Sequence, residues 1–513
     1  MDPLSAAAVL VEEAKFGKSR ERFEGLLAEL TSQETMRMTG SELERELEKK
    51  GRELLRQLYE DHLALRGEGR VAEAVVGADK EERTHVRSHE RKIETILGTV
   101  NLERVGYGGR GMDSLHPLDA ELNLPPEKYS LEVRRRAALE VVRSSYDASG
   151  EALARGTGAS VPKRQLEELV ISAAKDFDRY YAVAREPVLA SPDHLMVLTF
   201  DGKGVVMRLE GLREGTRKKA EEAKPKYQSR VASGEKPNRK RMAMVASVYE
   251  VKPWVRTPEE IVNRTVDKSA RPRPVRKTAW ASLEKAPGLV VRQAFQEAQR
   301  RDPERRLTWV VLVDGCAKQL RLVRKEAKRA KVEVTIVMDI FHVTEKLWAA
   351  AHCFHEEGDA KLEAWVATRL LNVLKGKASD VAAGIGRSAT LRGLSASERK
   401  SADECAKYLL KHSKYLRYGD DLAKGLPIAS GVIEGTCRHL INDRLDVTGA
   451  RWGLEGAEAV LKLRAMWISG DFDEYWVVHE NEEHWRNHAS QYGNERPPAT
   501  LKPTKGAHLS VVK

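Results

Sequence analysis

"LTFDGKGVVMRLEG", residues 198–211, decides how this chain is read. An apolar run ends in Asp201, meets Gly202, and resumes as a second apolar run. Asp-Gly between alternating apolar residues is a strong hairpin signal, because glycine accepts a positive φ and aspartate hydrogen-bonds its own backbone. An aspartate at the end of a buried strand is also the kind of residue that holds a metal. On this stretch alone both readings are open, and its surroundings have to separate them.

Downstream the texture is that of strands and crossover helices. "HLMVLTFDG" and "VVMRLEG" read as the opening hairpin, and "RMAMVASVYEV" (241–251) as a third strand. Residues 277–299 read as helix. "RLTWVVLVD" (306–314) is a buried strand ending at Asp314, followed by a helix. "VEVTIVMD" (332–339) is another, ending at Asp339. Helices continue to about residue 418. After the break at Gly425–Pro427, "ASGVIEGTCRHLINDRLD" begins a further helix. Three antiparallel strands followed by two β-α crossovers is not a Rossmann order, which alternates strand and helix from the start. It is the order of a ribonuclease-H-like α/β core with a mixed five-stranded sheet, in which strand one ends beside strand four.

Those two strand ends carry Asp201 and Asp314. A late helix lying over them offers Glu434, with the small neighbours Ser430, Gly431 and Gly435 allowing close approach. Two Mg²⁺ (or Mn²⁺) ions about 3.5–4 Å apart require hard anionic oxygens, and three carboxylates on rigid elements suffice. Asp339 is the rival second ligand, with His342 three residues on. Strand five lies further from strand one than strand four does, so the expected triad is Asp201, Asp314 and Glu434. Asp339 and His342 are then supporting residues.

Upstream, residues 1–66 have a helical pattern. Ser41 and Glu44 match a capping box, and Leu43, Leu47, Leu54 and Leu58 share one face. Residues 84–107 alternate around Gly98 as a hairpin, and a loop follows. Residues 129–186 are helical. Within them "GEALARGTGASVPKRQLEELVISAAKDF" (150–177) has the form of a helix-turn-helix, with Ser160 as cap and Pro162 in the first turn. The tail after about residue 490 reads as disordered.

Of 513 residues, 88 are Lys or Arg and 77 Asp or Glu, for a net charge of +11, which suits a polyanionic partner. Residues 213–241 hold eleven Lys/Arg against four Glu and read as a flexible loop. The four cysteines form no CxxC pair, and no run of 18 apolar residues occurs. The N-terminus lacks the basic flank of a signal peptide, so a cytoplasmic protein is expected.

"TFDGKGVVMR", "VVLVDGCAKQL", "IVMDIFHVTEKLW" and "SGVIEGTCRHLINDRLDVTGARW" together resemble the DDE transposases of bacterial insertion sequences. The similarity is to the ISKra family and its ISL and Mutator-like relatives, and "PLDAELNLP" and "VYEVKPWVRTPEEIV" extend it upstream. The resemblance implies a ribonuclease-H-like core interrupted by an all-helical insertion. It implies Asp201, Asp314 and Glu434 as ligands of two metal ions, with Asp339 and His342 in support. It also implies binding of transposon terminal inverted repeats and target DNA, strand cleavage and strand transfer by a homodimer or higher assembly, and a place at the bacterial nucleoid. Arg438, His439, Arg444 and Arg451 would clamp phosphates, and Lys218, Lys219, Arg239, Lys240 and Arg241 of the basic loop would track the backbone. Where relatives often carry paired cysteines, "RVGYGGRGMDSLHPLD" (104–119) has none.

The organisation expected is a mainly helical N-terminal DNA-binding region, made of helices (1–83), a hairpin and loop as a candidate end-binding module (84–128) and a helix-turn-helix-like block whose second helix would enter a major groove (129–193). The core then begins at 194–342, the helical insertion spans 343–427, the core is completed at 428–480, and a tail occupies 481–513. A nuclease of the same fold without strand transfer, and a domesticated DNA-binding protein without catalysis, are the competing readings.

Overall fold

The computed structural model describes residues 16–186, 188–222, 239–447 and 449–502, apart from the side chain of Lys268. The chain forms two compact units, one of residues 1–184 with 473–513, the other of residues 185–472. The segment expected to complete the core, 428–480, therefore divides between them.

The first unit opens with α1 (Gly17–Leu30) and α2 (Gly40–Arg66). The capping box of α2 is Thr39 with Glu42, not Ser41 with Glu44. Thr39 presents the same hydroxyl-x-x-Glu spacing two residues earlier, so the helix gains half a turn. Leu47 and Leu58 of the leucine stripe are more than a third exposed, while Gln57 and Leu63 are buried. A three-stranded sheet follows, β1 (His85–Thr95), β2 (Gly98–Gly109) and β3 (Met112–Leu115), in the order β1-β2-β3. The hairpin about Gly98 is as expected. The stretch after it, expected as loop, instead supplies β3 and the short helix α3 (Pro117–Glu121). Leu63, Ile93, Val100, Leu102, Leu118 and Leu124 form one core cluster.

Helices α4 (Leu131–Val141), α5 (Tyr146–Gly156) and α6 (Lys163–Ala173) complete the helical block. Ser130 and Ser145 cap the first two. Ser160 does not cap α6; Pro162 occupies the cap position itself, with no side-chain bond. The tail is ordered as far as Lys502, contrary to the reading of disorder. Tyr492 packs with Val75, Val105 and Tyr107, Thr500 bridges Val71, and the Leu501 N–H donates to the Arg70 carbonyl.

The second unit is built on five strands: β4 (Leu195–Val206), β5 (Lys240–Val251), β6 (Val275–Ser282), β7 (Trp309–Val313) and β8 (Val334–Met338). Their order is β6-β5-β4-β7-β8, with β4, β5 and β6 antiparallel and β7 and β8 parallel to β4. The mixed five-stranded sheet is as expected, but two of its strands are not where the sequence put them. Asp201-Gly202 makes no turn. β4 runs straight through it, paired with β5 from Leu195↔Val251 to Val206↔Lys240. "RMAMVASVYEV" is thus the second strand. The third, β6, lies in residues expected to be helix, and that helix, α8, begins only at Pro287. Proline is favoured in the first turn of a helix and disfavoured inside one, which sets that boundary.

Part of the expected basic loop is a helix, α7 (Glu214–Glu221), and residues 223–238 lie outside the described residues. Helix α9 (Ala317–Ala330) links β7 to β8. Five helices follow: α10 (Ile340–Ala351), α11 (Ala360–Leu374), α12 (Ala378–Leu391), α13 (Lys400–His412) and α14 (Tyr418–Ala423). Next come α15 (Gly431–Cys437), continued by a π turn at Arg438–Asn442, and α16 (Leu454–Ser469). The helix α17 (Phe472–Asn487) returns the chain to the first unit. No described helix is long and apolar enough to cross a membrane.

Candidate active site

The site forms where β4, β7 and β8 present their carboxylates. Asp201 is half-buried within β4. Its Oδ1 accepts the Gly202 N–H at 2.6 Å, and its Oδ2 accepts the Cys437 thiol at 3.3 Å. Asp314 immediately follows β7, next to the strand that carries Asp201, and accepts the Cys316 N–H at 2.8 Å. Gly315 then turns the chain with φ +91°. Helix α13 fixes this turn: Tyr408 donates to the Asp314 carbonyl at 3.1 Å, and a Cβ on Gly315 would sit 3.1 Å from the Tyr408 hydroxyl and 3.4 Å from His412 Nε2.

Asp339 follows β8 and is almost fully buried. It accepts the Phe341 N–H at 3.3 Å and the Ser430 N–H at 2.9 Å, and contacts His342 Nδ1 at 2.9 Å. The Ile340 N–H donates to the Ile428 carbonyl at 2.9 Å. Asp339 is thereby a clamp that ties the start of α15 to the end of β8, and little of its bonding capacity is left for a metal. Burial would raise the Asp339 pKa, but the bonds from His342 and Ser430 hold it below the ordinary value. His342 is raised by its bond to Asp339 and by the charges of Asp339, Asp314 and Glu345.

Glu434 projects from α15, which packs on β4 and β5. Burial and then the charge of Asp339 push its carboxyl up, with Glu345 and Asp201 adding to the effect. Among the described residues, no Lys or Arg forms an ion pair with Asp201, Asp314 or Glu434. Among the described residues the site therefore gathers carboxylates that no Lys or Arg pairs with, His342 being the cationic group beside them. That is the electrostatic setting a divalent cation relieves, and the donors are the hard oxygens Mg²⁺ prefers. The three carboxylates do not all approach within 4.8 Å. Two ions about 3.5–4 Å apart would themselves keep the outer ligands separated.

Among the described residues one tighter set exists, in the first unit: Asp176, His479 and Glu483, all buried and within 4.8 Å. Its charges are already answered. Arg486 donates to Asp176 at 2.5 Å and also pairs with Glu483, and Arg134 donates to Glu483 at 2.5 Å and reaches His479 Nε2 at 3.0 Å. Guanidinium groups already bonded to both carboxylates oppose a further cation, and the set is built as an ion-pair network.

The residues expected to hold DNA fall into two groups. Arg444 is buried with its guanidinium 4.8 Å over the Trp452 ring, which removes it from any phosphate. Arg241 is likewise committed, donating to the Leu283 and Gly211 carbonyls at 2.8 and 3.0 Å. Lys240 pairs with Asp446 at 3.0 Å, and Arg438 and His439 share Asp443. Lys218, Lys219 and Arg451 are exposed, and Arg239 is half-buried.

Cys437, Tyr408 and His412 were not expected at the site. Cys437 lies three residues after Glu434 and shares its helix face, a signal the sequence carries. Tyr408 and His412 are i,i+4 on a distant helix, and only the tertiary fold brings them to Asp314. No protein-family model matches the chain, and no curated protein matches it.

Proposed function

We propose that the chain is a DDE transposase whose second unit is a ribonuclease-H-like core. One observation carries this reading. The sheet order β6-β5-β4-β7-β8 sets Asp201 and Asp314 on adjacent parallel strands, and α15, carrying Glu434, packs on β4 with Cys437 bonded to Asp201. Open α/β sheets bind ligands outside the carboxyl ends of their parallel strands, where Asp314 and Asp339 stand.

In this reading Asp201, Asp314 and Glu434 hold two Mg²⁺. When bound, the ions would activate the attacking hydroxyl and stabilise the leaving 3′ oxygen. The protein's own part is placement. Cys437 and the Gly202 amide orient Asp201. The Cys316 amide, Gly315 and Tyr408 set the Asp314 loop. Asp339 anchors the helix that carries Glu434, and His342, kept protonated more readily than an isolated histidine, braces Asp339.

The test is a strand-joining assay with a labelled pre-cut 3′-hydroxyl duplex and plasmid target in Mg²⁺ or Mn²⁺. Joined products that disappear in Asp201→Asn, Asp314→Asn and Glu434→Gln are expected. Cleavage without joining would leave a nuclease. No turnover in either metal, with specific binding of DNA retained, would leave a DNA-binding protein.

A further inference from the structure

Helix α2 carries Arg45, Lys49, Arg52 and Arg56, spaced by four, three and four residues. That spacing puts all four on one helix face, over about 16 Å at 1.5 Å per residue. The face borders a cleft of about 400 Å³. The other walls are the β1–β2 hairpin tip at Leu97–Gly98, Arg155 at the end of α5, and Gly158 in the α5–α6 turn. Glu48 and Glu53 also line it, so five cations stand against two anions.

The three walls are locked together. The Gly158 N–H donates to the Ile96 carbonyl at 2.8 Å. A Cβ on Gly158 would lie 2.6 Å from the Gly98 nitrogen, so only glycine lets the turn rest on the hairpin tip. Arg52 donates to the Thr157 carbonyl and, at 3.4 Å, to that of Arg155. Arg56 reaches the Thr99 carbonyl at 3.5 Å and pairs with Glu60 at 2.8 Å. Arg52 and Arg56 thus belong to the frame, while Arg45, Lys49 and Arg155 stand exposed around its mouth.

We propose that this cleft is a binding site for the phosphate backbone of duplex DNA, with Arg45, Lys49 and Arg155 as its phosphate contacts. Two exposed cations about 6 Å apart along α2, with a third across the cleft, match a polyanion whose charges repeat along each strand better than they match one small anion. Arg52 also pairs with Glu48 at 2.8 Å and Arg155 with Glu151 at 3.6 Å; the Arg155 pair is exposed and a phosphate can replace its glutamate. The hairpin and the helix pair, separate modules in the sequence, form this one surface. The inference depends on the chain being a DNA-processing enzyme, and it adds Arg45, Lys49 and Arg155 to the residues the sequence named as DNA contacts.

The test is fluorescence anisotropy of the full chain with a labelled random-sequence 30-base-pair duplex across a salt series. The wild type is compared with Arg45→Gln/Lys49→Gln/Arg155→Gln. All three side chains are exposed, so the variant is expected to keep the wild-type thermal midpoint. It should bind about tenfold or more weakly at moderate salt, and its log–log salt slope should fall by about 0.9 for each phosphate no longer neutralised. Equal affinity and slope in the two proteins would overturn this site and leave the transposase reading standing. Failure of the wild type to bind any duplex would overturn both. Weakened binding of a single-stranded RNA with duplex affinity unchanged would overturn it in favour of an RNA site.

Discussion

Cys437 and Asp201 show how much a single hydrogen bond carries. The thiol is buried, and burial beside Asp201 keeps it protonated, so it acts as a donor to the carboxylate. Groups that orient a metal ligand typically change metal affinity or activity 10–100-fold when removed. Cys437→Ala should therefore weaken Mn²⁺ binding, measured by calorimetry, by about tenfold, and Cys437→Ser should recover most of it. Equal affinity in both variants and the wild type would remove Cys437 from the site. Gly315 is the second such residue. Its φ of +91° strains any side chain there, and a Cβ would press on Tyr408 and His412 at 3.1–3.4 Å. Gly315→Ala should cost upwards of about 1 kcal/mol in denaturant unfolding, whereas an alanine at an unstrained glycine stabilises. Asp314 was legible in the sequence as a strand-end residue and Glu434 as a helix residue, whereas Asp201, read as a strand end, lies within β4. Their supports were not, because Tyr408 lies 94 residues from Asp314 and nothing local announces the bond between them.

Of the secondary-structure elements, β4 departs furthest from its local preference. Asp-Gly carries a turn preference, yet a twelve-residue ladder with β5 overrides it. Turn propensity is local and worth little beside a continuous buried ladder whose side chains Leu195, Val197, Phe200 and Val205 are already committed to the core. The distinction is measurable. Gly202 lacks a positive φ, and a Cβ there would meet Met242 Cε at an ordinary 3.5 Å. Gly202→Ala should leave stability unchanged or raise it by up to about 1 kcal/mol. A loss well above 1 kcal/mol would mean that Gly202 does turn the chain. β6 was missed for a related reason. "VRKTAWAS" mixes basic, small and aromatic residues without clear alternation, and its strand identity comes from pairing with β5. The buried runs ending at Asp314 and Asp339 needed no such help, since hydrophobic β-branched runs bounded by polar residues specify parallel central strands.

Across the whole molecule, the two units carry different acid sensitivities. In the first unit, burial and then the nearby Arg104 charge push His116 down to about 4, and burial and then His484 do the same to His488. The folded unit thus binds fewer protons than the unfolded chain between pH 6.5 and 4, and its stability falls as pH drops through that window. In the second unit, burial would raise Glu297, but Arg301 and Arg185 hold it at about 2. Its contribution is full above pH 4.5 and is lost only as pH falls toward 2. Asp421, raised by burial to about 6, works the other way: its cost is present above pH 6 and is relieved on acidification. Calorimetry at about pH 7 and pH 5 should show one thermal transition moving down by more than the other. Equal shifts would contradict this assignment.

The mixed sheet and the helical run after β8 were readable from the order of apolar runs. The pairing of the C-terminal segment with the N-terminal unit was not, because Tyr492 and the ion pairs of α17 act across hundreds of residues. The functional reading rests on Asp201, Asp314 and Glu434 forming one metal site, and a crystal soaked in Mn²⁺ is the experiment that decides it. Anomalous density bounded by those three carboxylates, at ligand distances of about 2–2.5 Å, is the predicted result. Density at Asp176, His479 and Glu483 instead, or a site in which Asp339 replaces Asp314, would contradict it.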